Sequence, residues 1–245
     1  MSNAGCALPG PITLPPDRAV ELFRENNEHV LEAIPLLEFG WLVHGFGTRR
    51  SHVWNGQPNL VTLKQTHSDN CILISQHPSE VLYGDALLTA APGLMIGVRT
   101  ADCVPILLVD PRHRAVGAVH AGWRGTAGRV AVKAMEKMQR DFGGSPGEIL
   151  AAIGPSIGPC CYRVGAEVAV LFREWFPERN DLEGPVKLDL AEANRRQLIA
   201  AGLRDAHIFQ AQLCTACLKN NFFSYRREGK TAGRQIAAIG IKGPA

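Results

Sequence analysis

Ala101-Asp102-Cys103-Val104-Pro105-Ile106-Leu107-Leu108-Val109-Asp110, then Pro111-Arg112-His113-Arg114, then Ala115-Val116-Gly117-Ala118-Val119-His120-Ala121-Gly122 is the stretch whose reading decides the fold. Pro105–Asp110 and Ala115–Val119 are apolar, β-prone runs, and the four residues between them are polar and turn-forming, so a hairpin is the economical reading. A turn centred on Arg112 makes the indices of facing residues sum to about 224, which sets Cys103 opposite Ala121 with His120 one step away. A thiol and an imidazole then share the open end of one hairpin. The Gly-rich turn Gly122-Trp123-Arg124-Gly125 follows, and Val130, Ala131, Ala134, Met135 and Met138 mark a helical run from Ala127 to about Phe142. Free amides at the start of that helix suit an anion such as phosphate.

On either side of the hairpin the chain reads as short strands and polar corners. Gly84–Thr89 and Leu94–Val98 lead into it as two strands. Upstream, Val61–Lys64 and Cys71–Ile74 flank the corner Gln65-Thr66-His67-Ser68-Asp69-Asn70. His67 gains weight from supply: a catalytic zinc wants three protein ligands and an open position, and Cys103 with His120 provides two. Asp85 and Asp102 are candidates to orient a ligating imidazole, or else to cap turns. His44 sits near a strand ending in glycines and reads as structural. Asp17 caps a helix through about Leu31, Gly165–Phe176 is helical, and Asp189 caps a helix from Leu190 to about Ala201.

The cysteines divide differently. Seven is an odd number in a chain of 245 residues, too large to need disulfide staples, so thiols or metal ligands are expected. Cys214-Thr215-Ala216-Cys217 reads as half a zinc site or a redox pair. A structural zinc needs a second such pair, which the sequence lacks, and a thioredoxin-like role needs the motif to open a helix after a strand, which this context does not clearly do. Adjacent Cys160 and Cys161 point opposite ways in extended chain and read as packing residues.

Composition excludes several classes. The 46% hydrophobic and 20% charged content with a formal charge of +3 describes an ordinary soluble protein without a basic face, so nucleic acid is not an expected partner. No apolar run reaches the ~18 residues of a membrane span, and the N-terminus lacks a signal-peptide pattern. A cytoplasmic protein is expected. Residues 1–16 read as an irregular segment, with Ser2-Asn3-Ala4 set aside as a vector remnant, and residues 17–245 as a single catalytic domain.

Four strings carry a resemblance: Lys64-Gln65-Thr66-His67-Ser68, Thr100-Ala101-Asp102-Cys103-Val104-Pro105, His120-Ala121-Gly122-Trp123-Arg124-Gly125-Thr126, and Ile153-Gly154-Pro155-Ser156-Ile157-Gly158-Pro159-Cys160-Cys161-Tyr162. With Cys214-Thr215-Ala216-Cys217 and Phe223-Ser224-Tyr225-Arg226-Arg227 they resemble the laccase-domain proteins, once labelled multicopper polyphenol oxidases and later described as zinc-dependent purine nucleoside phosphorylases that also deaminate adenosine. The resemblance implies an α/β fold, a single layered α-β-β-α domain related to cysteine-dependent toxin deamidases. It implies zinc held by His67, Cys103 and His120, with purine nucleosides and phosphate as substrates. The segment between Arg49 and Lys64 is shorter than family members usually carry, which bears on substrate range if it shapes the pocket.

For phosphorolysis Arg49, Lys64 and Arg124 are the candidate anion holders, and Asp102 joins them as a catalytic candidate. Copper chemistry would be incidental, because coupled copper centres need many imidazoles and the eight histidines include no His-x-His pair. The competing reading is a cysteine hydrolase or deamidase, with Cys103 as nucleophile and His120 as base, acting for instance on a cell-wall precursor. A monomer or small homo-oligomer is expected.

Overall fold

The computed structural model describes residues 22–244, so the expected irregular segment 1–16 lies outside the described residues. In chain order the elements are β1 (Phe23–Glu25), β2 (Val30–Ala33), β3 (Leu42–Gly47), β4 (Leu60–Thr62), β5 (Cys71–Leu73), β6 (Ala86–Thr89), β7 (Met95–Thr100), β8 (Val104–Asp110) and β9 (Ala115–Ala121). Then come α1 (Trp123–Ala127), α2 (Val130–Phe142), β10 (Leu150–Ile153), β11 (Arg163–Val164), α3 (Ala166–Ala169), β12 (Val186–Lys187), α4 (Leu190–Ala200), β13 (Ile208–Gln210), α5 (Tyr225–Glu228) and β14 (Gln235–Ile241). One sheet runs β1-β2-β3-β14-β7-β4 and the other β13-β10-β8-β9-β6-β5, with β11 and β12 forming a small ribbon.

The central hairpin explains how the layers stack. Every residue of β8 and β9 is buried. Side chains alternate across a strand, so the apolar run is continuous because both faces are covered. Ile106 and Leu108 of β8 pack with Val119 of β9 and with Val130, Ala134, Met135 and Met138 of α2. Leu107 and Val109 point the other way, onto Ile96, Val98 and Ile239 of the opposite sheet. The order is therefore helices, sheet, sheet. The outer face of the first sheet is covered by Val30, Trp54 and Ala238. Among the described residues this small cluster stands where the expected second helical layer would be. Trp54 comes from the short 50–63 segment, which is thus committed to covering a sheet.

The turn differs from expectation by one residue. Asp110 accepts the backbone N–H groups of Arg112 (3.0 Å) and His113 (3.1 Å), and Arg114 adopts φ +46°, so all four residues 111–114 form the loop. Pairing closes at Asp110 opposite Ala115 and runs to Pro105 opposite His120 and Val104 opposite Ala121. A one-residue slip moves every side chain to the other face. In the observed register Cys103, two residues before Pro105, falls on the same face as His120, so thiol and imidazole meet at the open end of the hairpin as expected although the facing pairs differ by one residue.

Two helix expectations are corrected. The stretch through Leu31 described as part of a helix from Asp17 forms β1 and β2 instead, paired Phe23 to Ala33 and Glu25 to Leu31. Tertiary pairing overrides the local cap signal there, helped by Asn26, whose side chain accepts the N–H groups of Glu28 and Val30 in the connecting turn. The single helix expected from Ala127 is two, broken where Arg129 takes φ +60°, and the first turn begins at Trp123. By contrast Asp189 caps α4 as expected, accepting the Glu192 N–H at 3.0 Å. Buried polar side chains of α4 hold α1 in place. Asn194 donates to the Thr126 hydroxyl at 3.0 Å and Gln197 to the Thr126 carbonyl at 2.9 Å.

His44 is structural. Its ring is buried in β3 and Nε2 accepts the Ala33 N–H at 3.0 Å, an arrangement that requires the neutral ring. Burial pushes its pKa down to about 4, against a smaller upward pull from Glu32. The unfolded chain therefore binds more protons than the folded one between the two pKa values. Stability is full above about pH 6.5 and falls as pH drops towards 4, by about 3 kcal/mol for this group. Urea unfolding at pH 5 and pH 7 checks this: His44→Gln should show a smaller difference between the two than the parent chain.

Candidate active site

The open end of the sandwich, where the two sheets part, is where the motifs meet. His67 stands on the corner between β4 and β5 with φ +57°, Cys103 on the bend before β8, and His120 near the end of β9. Their ligand atoms all lie within 4.8 Å of one another. The two imidazoles meet edge to face with centroids 5.0 Å apart. A Cβ on Gly122 would lie 3.1 Å from the Cys103 Sγ and 3.2 Å from the His67 ring, so a residue without a side chain is what lets β9 come this close.

Asp85 organises this group. Its carboxylate is fully buried and accepts His120 Nδ1 at 2.8 Å, the Ser68 N–H at 2.6 Å and hydroxyl at 2.7 Å, the His67 N–H at 3.1 Å, and the Thr66 N–H at 3.2 Å. One carboxylate thus folds the 66–68 corner and directs His120 Nε2 at the thiol side, as a ligating histidine requires. Burial opposes its charge, but the His120 and Ser68 hydrogen bonds win and hold the Asp85 carboxyl well below the usual range. Burial likewise pushes the Cys103 thiol up, and the bonds from His120 and His67 outweigh it, leaving a pKa of about 6. For His120 burial lowers the pKa, while Asp85 and Cys103 raise it further, to about 9. Both shifts favour a thiolate paired with an imidazolium when no metal is bound. Two nitrogens and a soft sulfur, oriented from behind by a carboxylate, fit zinc with a fourth position open.

The other expected residues separate. Asp102 borders the site with φ +90°, but its oxygens are taken by the Thr215 hydroxyl at 2.6 Å, the Ser224 hydroxyl at 3.1 Å and the Arg226 N–H at 2.6 Å. It tethers the C-terminal motif beside Cys103 and orients neither imidazole. Arg124 lines the cavity and lies 4.1 Å from the Trp123 ring centroid. Arg49 and Lys64 do not line it. Arg49 pairs with Glu228 and stacks on Phe223 at 4.3 Å, and Lys64 lies over Tyr83 at 5.0 Å.

The cavity beside the three ligands holds about 660 Å³. Arg99, Arg226 and Arg234 join Arg124 in its wall, with Trp123, Tyr162 and Tyr225 as aromatic surfaces. Sequence reasoning missed Arg99, Arg226 and Arg234. Arg99 was visible in principle, because β7 runs out of the first sheet towards Cys103 and alternation puts successive residues on opposite faces. Gln65 locks that strand end by accepting the Arg99 N–H and donating to the Arg99 carbonyl, both at 2.8 Å.

Two apposed sheets with helices on one side and a His-Cys-His ligand group at their mouth define a mixed α/β protein with a candidate metal centre. The profile of the multi-copper polyphenol oxidoreductase laccase family matches residues 48–242, and the chain belongs to that family. A purine nucleoside phosphorylase of Bacteroides thetaiotaomicron is 39% identical over 197 residues, covering 74% of this chain and 73% of the relative. The adenosine deaminase RL5, from an unknown prokaryotic organism, is 41% identical over 196 residues, 74% of each chain. The crystal structure of YlmD from Geobacillus stearothermophilus superposes with a TM-score of 0.80 at 31% identity, covering 90% of this chain and 99% of that one. No helix among the described residues is long and apolar enough to cross a membrane.

Proposed function

We propose that this protein is a zinc-dependent purine nucleoside phosphorylase with adenosine deaminase activity, working in the cytoplasm as a monomer or small homo-oligomer. The observation that carries the reading is the convergence of His67, Cys103 and His120 beside a cavity bordered by four arginines and three aromatic rings. The names of the relatives support it. In phosphorolysis a phosphate oxygen bonds to the anomeric carbon of the ribose as the C–N bond to the purine breaks, and the base leaves with the electron pair. Arg99 and Arg124 are assigned to the phosphate, in place of Arg49 and Lys64, because guanidinium groups suit its oxygens and these two border the cavity. Trp123 and Tyr162 are assigned to the faces of the purine and sugar. Asp102 is a positioning residue that keeps the Ser224–Arg226 wall against the site. Zinc held by His67, Cys103 and His120 would supply a Lewis acid at the cavity floor. Deamination, in which water adds at the purine six-position and ammonia leaves, would use the same floor.

The cysteine hydrolase or deamidase reading is favoured by one observation, the placement of the Cys103 thiol beside the His120 imidazole. A nucleophile and base need only one imidazole, however, and His67 is a second. The test is chromatographic product analysis with protein of measured zinc content, given adenosine and inosine with and without phosphate. Release of base only with phosphate, and of inosine from adenosine without it, is expected. Zinc-loaded protein that turns over neither nucleoside would overturn the proposal.

A further inference from the structure

A second group of side chains able to hold a metal lies outside the cavity beside His67, Cys103 and His120. The loop after β10 carries Cys160 and Cys161, and the segment after β13 carries Cys214 and Cys217. Their four sulfurs all lie within 4.8 Å of one another. Cys217 Sγ is 3.5 Å from Cys160 Sγ and 3.4 Å from Cys161 Sγ. A tetrahedral zinc with Zn–S bonds of about 2.3 Å separates its sulfurs by about 3.8 Å, close to both distances at Cys217.

The local backbone explains how two adjacent cysteines, which point opposite ways in extended chain, can serve one centre. Residues 158–162 form a turn, with Cys161 N–H and Tyr162 N–H both donating to the Gly158 carbonyl at 3.0 Å. Both thiols therefore face the same segment. The Gly158 N–H donates to Cys214 Sγ at 3.3 Å, a bond that stabilises negative charge on sulfur. A Cβ on Gly158 would lie 3.5 Å from Cys160 Sγ and 3.7 Å from Cys214 Sγ, against both sulfurs. The two segments are paired besides, through Ser156 and Cys214 and the 3.0 Å bond from Thr215 N–H to the Ser156 carbonyl.

We propose that Cys160, Cys161, Cys214 and Cys217 form a structural site for zinc or a similarly thiophilic divalent cation, separate from His67, Cys103 and His120. Cys160, Cys161 and Cys214 are free thiols. Cys217 is disulfide-bonded and completes the tetrahedron when a thiol reductant opens that bond, the reductant being oxidised to its own disulfide. Each ligating thiol gives its proton to solvent as the metal binds. The site acts as a clamp on the cavity wall. Thr215, inside the Cys-x-x-Cys, bonds Asp102 next to Cys103, and Tyr162, next to Cys161, borders the cavity.

The test counts metal in the full chain by native mass spectrometry and elemental analysis, after reduction, zinc loading and removal of excess zinc. Two zinc ions per chain are expected in the parent. Cys103→Ala should keep one, and Cys160→Ser/Cys161→Ser should keep the other. Loading Cys103→Ala with cobalt supplies a readout independent of activity, because a cluster of thiolates gives intense sulfur-to-cobalt charge-transfer absorption. A reduced Cys103→Ala chain that binds no zinc and shows no such absorption overturns the second site. So does a parent chain that never exceeds one ion. Because the cluster is intact in Cys103→Ala, misfolding of the serine variant cannot decide the result. Failure of the nucleoside assays would leave this count unchanged.

Discussion

His67→Ala, Cys103→Ala and His120→Ala are each expected to lower nucleoside turnover by on the order of a thousand-fold or more, equivalent to about 4 kcal/mol of transition-state stabilisation. Zinc at the catalytic centre should fall in parallel, measured after excess metal is removed. The reason is geometric. Three ligand atoms within 4.8 Å of one another leave one face open towards the cavity, and removal of any one leaves two ligands for an ion that needs three from the protein. His67 is the discriminating variant. If Cys103 and His120 act as nucleophile and base, His67→Ala keeps most of its turnover. If the three act as ligands, His67→Ala is as inactive as the other two. Loading also has a direction in pH. Without metal His120 holds its proton up to about 9, so binding releases protons and weakens as pH falls. Zinc titrations at pH 6 and pH 8 should show the tighter binding at pH 8. Full turnover in a variant shown to lack catalytic zinc would reject the assignment.

Asp85→Ala is expected to damage both stability and the site. The buried carboxylate accepts from Ser68 and from the backbone of Thr66, His67 and Ser68 as well as from His120. Removing one partner of a buried charged network costs about 3–5 kcal/mol, because the donors left behind are unsatisfied. Asp85→Asn keeps the shape but presents an amide N–H to a set of donors. It should fold with less loss and weaken catalytic zinc binding by about 10–100-fold, the range for removing the group that orients a ligating histidine. Since folding lowers the Asp85 pKa, its contribution is complete above the ordinary carboxylate range and is lost as pH falls through the lowered folded value. Chelator competition for zinc and urea unfolding at pH 7 measure the two effects. Parent-like affinity and stability in Asp85→Ala would show that the 66–68 corner holds itself.

The family's motifs were legible because their chemistry is local. A polar turn between two apolar runs announces the central hairpin. Asp189 before an apolar helical pattern announces α4, and His67, Cys103 and His120 stand out as residue types rare in such surroundings. The rest depended on how distant segments met. Which residues face one another across the hairpin was decided by the Asp110 bonds that make the loop four residues long. The strands at 23–25 and 30–33 replaced an expected helix because β3 offers a sheet edge on which to pair. Arg49 stands away from the cavity, where Glu228 and Phe223 engage it across the fold.

By itself, then, the sequence determined the hairpin, the His-Cys-His residue set and the family, since periodicity, turn chemistry and motif order are properties of contiguous residues. Only the tertiary structure decided which arginines border the cavity, that Asp85 rather than Asp102 orients His120, and that Cys160 and Cys161 meet Cys214 and Cys217. Those outcomes rest on contacts between residues far apart in the chain. Pairing and packing select such contacts, and no local pattern encodes them.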